Sequence, residues 1–339
     1  MTFLKKKIQN FFLFMLSILL IFLILELILI FVFKDKPRCK SGNNLNDQPI
    51  SFVEDKILGW KPKPGEYIFD PWSEHGEVTK LTNLKDGSRI TGSSNKKNKI
   101  IFIGGSLTQG WAVDDKNNYP ALLQKKIKNY KIKNYGVGGY GGTQSFLKLK
   151  SILNEQNDIK FVVYGFIPHH EIRNIAAGSW MYLLNKNLRG TEGEFSLPYA
   201  SIKRNNIKIH KPKKYLMLPF GDKSALIAKI EKRILKLESF KRSYQKTEIS
   251  KKIILEMSRA SRENNAEFIF LFLNVNELPS KQFSTYNEFL EKNNIGFIKC
   301  QFPLNKKYTV RGEGHPNKKG HDSISECFYN KFSSVFDKL

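Results

Sequence analysis

A serine set among glycines, Gly104-Gly105-Ser106-Leu107-Thr108-Gln109-Gly110, follows directly on the apolar run Ile100-Ile101-Phe102-Ile103. About two hundred residues later stands Glu313-Gly314-His315-Pro316-Asn317. A serine hydroxyl is a weak nucleophile at neutral pH. It needs a base within hydrogen-bond reach, a group that orients the base, and donors for the oxyanion. His315 is the candidate base. Glu313, in the same tight loop, is the candidate carboxylate that fixes the imidazole tautomer and stabilises the imidazolium. Glycines around Ser106 permit a sharp strand-to-helix turn, which sets the serine at a helix N-terminus, where amide dipoles favour negative charge. Taken by itself, Ser106 also reads as a helix N-cap.

Two further segments bear on the same chemistry. Asn134-Tyr135-Gly136-Val137-Gly138-Gly139-Tyr140-Gly141-Gly142 lies between a strand and a helix, and Gly136-x-Gly138-x-x-Gly141 matches a dinucleotide fingerprint. The next strand, however, ends at Phe166 with no acidic residue at its tip to hold a ribose. Backbone amides presented beside Ser106 account for the glycines better. Tyr164-Gly165-Phe166-Ile167-Pro168-His169-His170-Glu171-Ile172-Arg173-Asn174 is not a zinc motif, because Asn174 stands where a second histidine would be needed. Adjacent His169 and His170 do not readily face one metal. No metal and no cofactor are expected, and His169, His170 or Arg173 is expected to touch substrate or the oxyanion.

The elements that must position these residues can be read in outline. Strand candidates are Ile100–Ile103, Ile132–Tyr135, Phe161–Phe166, Phe268–Leu273 and Gly296–Lys299. Between them lie helical stretches at Tyr119–Asn129, Thr143–Glu155, around Ile249 to Ala260, and at Lys281–Asn293, with a last helix from Asn317 to Phe336. Alternation of this kind implies an α/β fold with a parallel sheet covered on both faces. Ligands in such sheets sit at the carboxyl ends of the strands, where Ser106, Gly139, His169 and His315 fall. Residues 177–246 interrupt the alternation with Trp180, a basic stretch through Lys203–Lys214 and a helix carrying Leu226, Ile230, Ile234 and Leu237. They read as an insertion serving as a lid or partner surface.

The ordered set of four segments resembles the SGNH/GDSL hydrolase family over roughly residues 55–335. The resemblance implies a three-layer α/β/α sandwich with a parallel, flavodoxin-like five-stranded sheet. It implies Ser106 as nucleophile, Gly139 as an oxyanion glycine and His315 as the catalytic histidine. The chain departs from the family pattern at three places. Gly105 replaces the aspartate of Gly-Asp-Ser, His169 aligns with the asparagine of the third block, and Gly312 stands where the aspartate three before the histidine would be. Glu313 resembles the closer spacing of some envelope members.

Ahead of this domain, Phe11 to Phe33 is apolar apart from Ser17 and Glu26. At about 1.5 Å per residue the stretch exceeds a bilayer core of about 30 Å. The flank after Phe33 offers no small-residue cleavage site. Residues 1–36 therefore read as an uncleaved transmembrane signal anchor in the inner membrane bilayer, residues 37–95 as an extended lead-in, and residues 96–337 as the SGNH-like domain. Lysines on both sides of the span leave orientation open by charge alone. A lone N-terminal anchor before a long soluble domain favours the extracytoplasmic, periplasmic side. Glu26, near the distal end of the span, is expected to snorkel or sit protonated.

The formal charge of +25 on 339 residues is spread along the chain; it reads first as a compositional bias with solvated lysine faces, and second as an attraction towards anionic lipid or acidic polysaccharide. No zinc-finger, helix-turn-helix or aromatic-plus-basic sheet signature is present, so nucleic acid is not an expected partner. Cys39, Cys300 and Cys327 make no even framework and do not decide the compartment. Two functions from different classes follow. One is a membrane-anchored serine esterase or O-acetyltransferase acting on an acylated cell-envelope carbohydrate. The other is an inactive glycan-binding or assembly protein of the same fold.

Overall fold

The computed structural model describes residues 2–38, 49–70, 77–187, 191–192, 196–273, 280–303, 305–310 and 314–336. The first helix, α1 (Thr2–Phe31), presents apolar side chains to its surroundings along most of its length. Leu4–Phe31 is long and apolar enough to cross a membrane. The segment expected as an extended lead-in is built from two antiparallel hairpins. β1 (Phe52–Asp55) pairs with β2 (Gly59–Pro62), and β3 (Gly65–Phe69) pairs with β4 (Thr79–Asn83). Trp60 is fully buried and belongs to the main core, so this segment is a working part of the domain.

The central sheet has five parallel strands: β5 (Lys99–Gly104), β6 (Lys131–Gly136), β7 (Ile159–Phe166), β11 (Glu267–Leu273) and β12 (Gly296–Cys300). Their spatial order is β6-β5-β7-β11-β12. In chain order that is second, first, third, fourth, fifth, the flavodoxin-like winding. The fold is a three-layer α/β/α sandwich on a five-stranded parallel sheet, the architecture that the motif resemblance implies. Side chains alternate between the two faces, as a pleated strand requires. Ile101, Ile103, Val162, Tyr164, Phe270 and Phe272 face one core, which α4 (Gly142–Glu155), α8 (Lys246–Glu263) and α9 (Ser280–Lys292) complete. Ile100, Phe102, Val163 and Leu271 face the other, closed by α3 (Tyr119–Lys126) and α10 (Lys318–Phe336).

The interruption of the alternation is an insertion in the structure as well. After α5 (His170–Asn174) come α6 (Gly178–Asn187), β8 (Thr191–Glu192), the hairpin of β9 (Ser196–Lys203) with β10 (Asn206–Lys214), and α7 (Ala225–Ser243). The insertion does not stand free. β8 pairs with β1, and α7 docks on α1. The Glu26 carboxylate accepts hydrogen bonds from Ser224 Oγ (2.8 Å), Ala225 N (2.6 Å) and Leu226 N (2.9 Å). It thereby caps the N-terminus of α7, whose first amides have no partner within the helix. Sequence reasoning expected this glutamate to reach for water or keep its proton. A helix end some two hundred residues away supplies its donors instead.

The short helix α2 (Ser106–Gln109) sits directly on the tips of three strands. In register across the sheet, Gly104 pairs with Gly136 and with Gly165. A Cβ on Gly104 or Gly165 would come within 2.5 or 2.2 Å of Thr108 Oγ1, and one on Gly136 within 2.4 Å of Gln109 N. Only bare backbone lets α2 settle there. Gly165→Ala is expected to destabilise the fold by about 1–3 kcal/mol through overpacking. Adding Thr108→Ala removes the clashing oxygen and should return part of that loss, as a double-mutant unfolding cycle would measure.

Cys300, the last residue of β12, is disulfide-bonded to Cys327 of α10 across a separation of 27 residues, with the Cα atoms 5.6 Å apart. The pairing ties the helix that follows the His315 loop to the edge of the sheet. For a closed loop of this length the chain-entropy argument gives about 3–4 kcal/mol. Replacing both cysteines by serine should lower stability by about that amount in urea unfolding of the full chain in detergent.

Candidate active site

The turn that carries Ser106, the candidate nucleophile, is built from β5 and α2. Glycine at position 110 ends α2 in the left-handed region, at φ +84°, where a Cβ would be strained. Ser106 is buried, with 6% of its surface exposed. Its Oγ lies 2.8 Å from His315 Nε2. The two residues are thus within direct proton-transfer distance.

His315 reaches this position from a tight loop. Val310 N donates to His315 O, and Gly314 N donates to Val310 O at 3.0 Å. Gly314 carries the positive φ (+82°) that closes the turn. Asn317 then caps α10, its Oδ1 accepting from Gly320 N at 3.1 Å. The Trp111 ring stands 6.3 Å from the imidazole, centroid to centroid. His321, one turn into α10, is fully buried and accepts from Tyr119 N through Nδ1 at 3.2 Å. Burial, with the charges of Arg89 and His315 adding to it, pushes its pKa down to about 3. This imidazole stays neutral and structural. Glu313, the expected orienting acid, lies outside the described residues, as does Gly312.

The second glycine segment packs against α2. Gly138 N donates to Gln109 Oε1 at 2.8 Å, and Asn134 Nδ2 donates to Thr108 O at 2.9 Å. Gly139 has φ +81°, and a Cβ there would press on Trp60 at 3.0 Å. Trp60 Nε1 donates to Gly138 O at 3.1 Å, and Tyr140 Oη donates back to Trp60 O. The glycine loop is therefore held from below by α2 and from the side by the lead-in.

The third segment separates residues that the sequence left grouped. His169 is exposed at the N-cap position of α5. His170 is fully buried, bonded through Nδ1 to Tyr164 Oη at 2.7 Å. Burial first, then the charges of Arg173 and His169, holds its pKa well below the usual histidine range. Arg173 donates from one terminal nitrogen to Tyr140 O at 2.9 Å, and its guanidinium lies 4.3 Å over the Trp180 ring. Burial lowers its pKa to about 10. Among the described residues no carboxylate pairs with it. These two side chains form the floor beneath Gly105. A Cβ on Gly105 would lie 2.8 Å from His170 Nε2 and 3.0 Å from Arg173 Nη1. A side chain at position 105 would therefore meet α5.

Sequence reasoning missed Arg89. It is buried, with Nε on Asp115 Oδ1 at 2.8 Å, Nη1 on the carbonyls of Gln109 and Gly110, and Nη2 on those of Lys80 and Val113. One guanidinium gathers the exit of α2, the hairpin of the lead-in and an aspartate. An arginine in a polar stretch gives no periodic signal. Gly165 could have been found, since a lone glycine inside a strand pattern marks a close backbone approach.

No protein-family profile matches the sequence, and no curated protein does. Among solved structures, the chain is similar to a member of the lipolytic G-D-S-L family from Veillonella parvula. The identity is 13%, 71% of this chain and 99% of that one are covered, and the TM-score is 0.39. It is also similar to AlinE4, an esterase of the SGNH-hydrolase family, at 15% identity over 72% of this chain and 99% of that one, with a TM-score of 0.35.

Proposed function

We propose that this protein is a membrane-anchored serine esterase of SGNH type that cleaves or transfers an acyl ester on a cell-envelope glycan. The observation that carries the proposal is the 2.8 Å contact between Ser106 Oγ and His315 Nε2. In the reaction, His315 takes the Ser106 proton as Oγ attacks the acyl carbonyl. The backbone amides of Ser106 and Gly139, with His169 as a third donor, hold the oxyanion. Glu313 orients the imidazole and stabilises its protonated form. His315 then gives its proton to the leaving oxygen, and the acyl group rests on Ser106. Water resolves the acyl-enzyme in an esterase, and a sugar hydroxyl does so in an O-acetyltransferase.

The helix Leu4–Phe31 supports anchoring by its length and composition. The Cys300–Cys327 disulfide supports an oxidising compartment, and hence the extracytoplasmic side. The charge of +25 suits an acidic polymer or an anionic surface.

Ser106→Ala is expected to lower kcat/KM for p-nitrophenyl acetate by about 10,000-fold and to abolish fluorophosphonate labelling. His315→Asn should cost a similar factor, and the double variant little more, because the pair acts as one unit. Labelling that persists in Ser106→Ala would place the nucleophile elsewhere. Absence of any turnover in the unsubstituted chain, with or without an acceptor glycan, would favour the inactive glycan-binding reading.

His169→Ala is expected to lower kcat by about 100-fold while leaving thermal unfolding unchanged, the usual cost of one oxyanion donor. Unchanged kcat would assign the hole to the backbone amides alone.

A further inference from the structure

The helix α7 has two faces of different use. Ala225, Ala228, Glu231, Leu235 and Ser239 are buried. On the opposite side of the helix, Ile230, Ile234, Leu237, Phe240 and Tyr244 form an exposed stripe, with Leu237 69% and Tyr244 77% open. Successive members lie three or four residues apart, the spacing of one helix face. Exposed Lys229, Arg233, Lys236 and Lys241 lie along and beside the stripe. An apolar stripe edged by cations is the composition of a helix lying in a membrane surface.

Depth is what decides between this occupant and a protein partner. Glu26 holds the first amides of α7. At about 1.5 Å per residue, Glu26 lies about 8 Å inside the end of α1 at Phe31. An interfacial helix buries its apolar face about 5–10 Å into the boundary between headgroups and acyl chains. The cap therefore starts α7 at the depth such a helix needs. Further ties fix the junction. Arg38 Nε pairs with the buried Glu231 at 3.2 Å, Lys229 Nζ with Asp35 at 2.6 Å, and Arg38 N donates to Gly221 O at 2.7 Å. Phe220 and Met217, both exposed, continue the apolar surface beside the same junction.

We infer that the outward face of α7 lies in the bilayer surface beside the anchor, so that the insertion seats the catalytic domain on the membrane. This rests on the reading of α1 as a membrane span. The apolar face of α7 then continues the apolar surface of α1, and its lysines meet anionic headgroups.

The test uses the full chain with Cys39→Ser, reconstituted as single copies in nanodiscs containing phosphatidylglycerol. A nitroxide is attached to Leu237→Cys or Phe240→Cys, and to two reference sites, Leu19→Cys in the anchor and Asn205→Cys in the β9–β10 turn. All four positions are exposed, so the labels fit without repacking a core. Accessibility to oxygen, which concentrates in lipid, is compared with accessibility to a water-soluble nickel chelate. The expected ratio at positions 237 and 240 is several-fold above that at Asn205 and close to that at Leu19. A lipid-like Leu19 with water-like 237 and 240 would overturn the seating while leaving the anchor in place. Labels at 237 and 240 shielded from both reagents would mean that protein covers the stripe, which also overturns it. A water-like Leu19 would remove the span, and the seating with it.

Discussion

Everything at the candidate site depends on how closely α2 approaches the sheet. Three glycines in register, Gly104, Gly136 and Gly165, leave the strand tips without side chains at the point where Thr108 and Gln109 come down. Close packing tolerates no gap at such a contact and no excess. The helix is then pinned by Asn134, by Gln109 reaching the glycine loop, and by the carbonyls that Arg89 collects behind it. Ser106 is consequently placed by backbone geometry. His315 is positioned independently, through its tight loop, the Asn317 cap, the His321 contact with Tyr119 and the disulfide of α10. That two separately built supports bring Oγ and Nε2 to 2.8 Å is a stronger sign of chemistry than either residue alone.

Two buried arginines flank this arrangement and differ in what they demand. Arg89 has a carboxylate and four carbonyls around it, so its charge and its donors are matched. Among the described residues Arg173 has one carbonyl and an aromatic face. Burying an arginine without an acid is costly, and its lowered pKa expresses that cost. Its neighbour His170 responds by staying neutral, since a second cation there would meet both burial and the guanidinium charge. The floor beneath Gly105 is thus polar and carries a single positive charge. Glycine at 105 is the residue that such a floor admits without displacement.

The central sheet was legible because its inner strands β5, β7 and β11 are apolar on both faces and its helices keep a helical period. The β5–β7 tips with their glycines, and the histidine before the last helix, were legible because their residue types answer a chemical need. What the sequence hid was long-range. Trp60 sits in a segment whose composition reads as a linker, yet it enters the core through pairing with the glycine loop. Cys300 and Cys327 stand too far apart in the chain to be read as a pair. His169 and His170 are neighbours whose fates diverge at the first turn of α5, one exposed and one buried. Glu26 is the clearest case. Its partners are backbone amides of another helix, and no property of the span itself announces them.

These long-range contacts also join α1 and α7 to the turn that carries Ser106. α7 packs on α6, where a Cβ on Gly178 would strike the Leu235 backbone at 2.8 Å. α6 carries Trp180, which covers the Arg173 guanidinium, and Leu184, which lies against the Gly139 turn. Arg173 in turn lies beneath Gly105, the residue before Ser106. An unbroken set of packed groups therefore runs from the Glu26 cap to the Ser106 turn. The insertion thus touches the glycine loop at one end, through Leu184, and α1 at the other, through the Glu26 cap on α7.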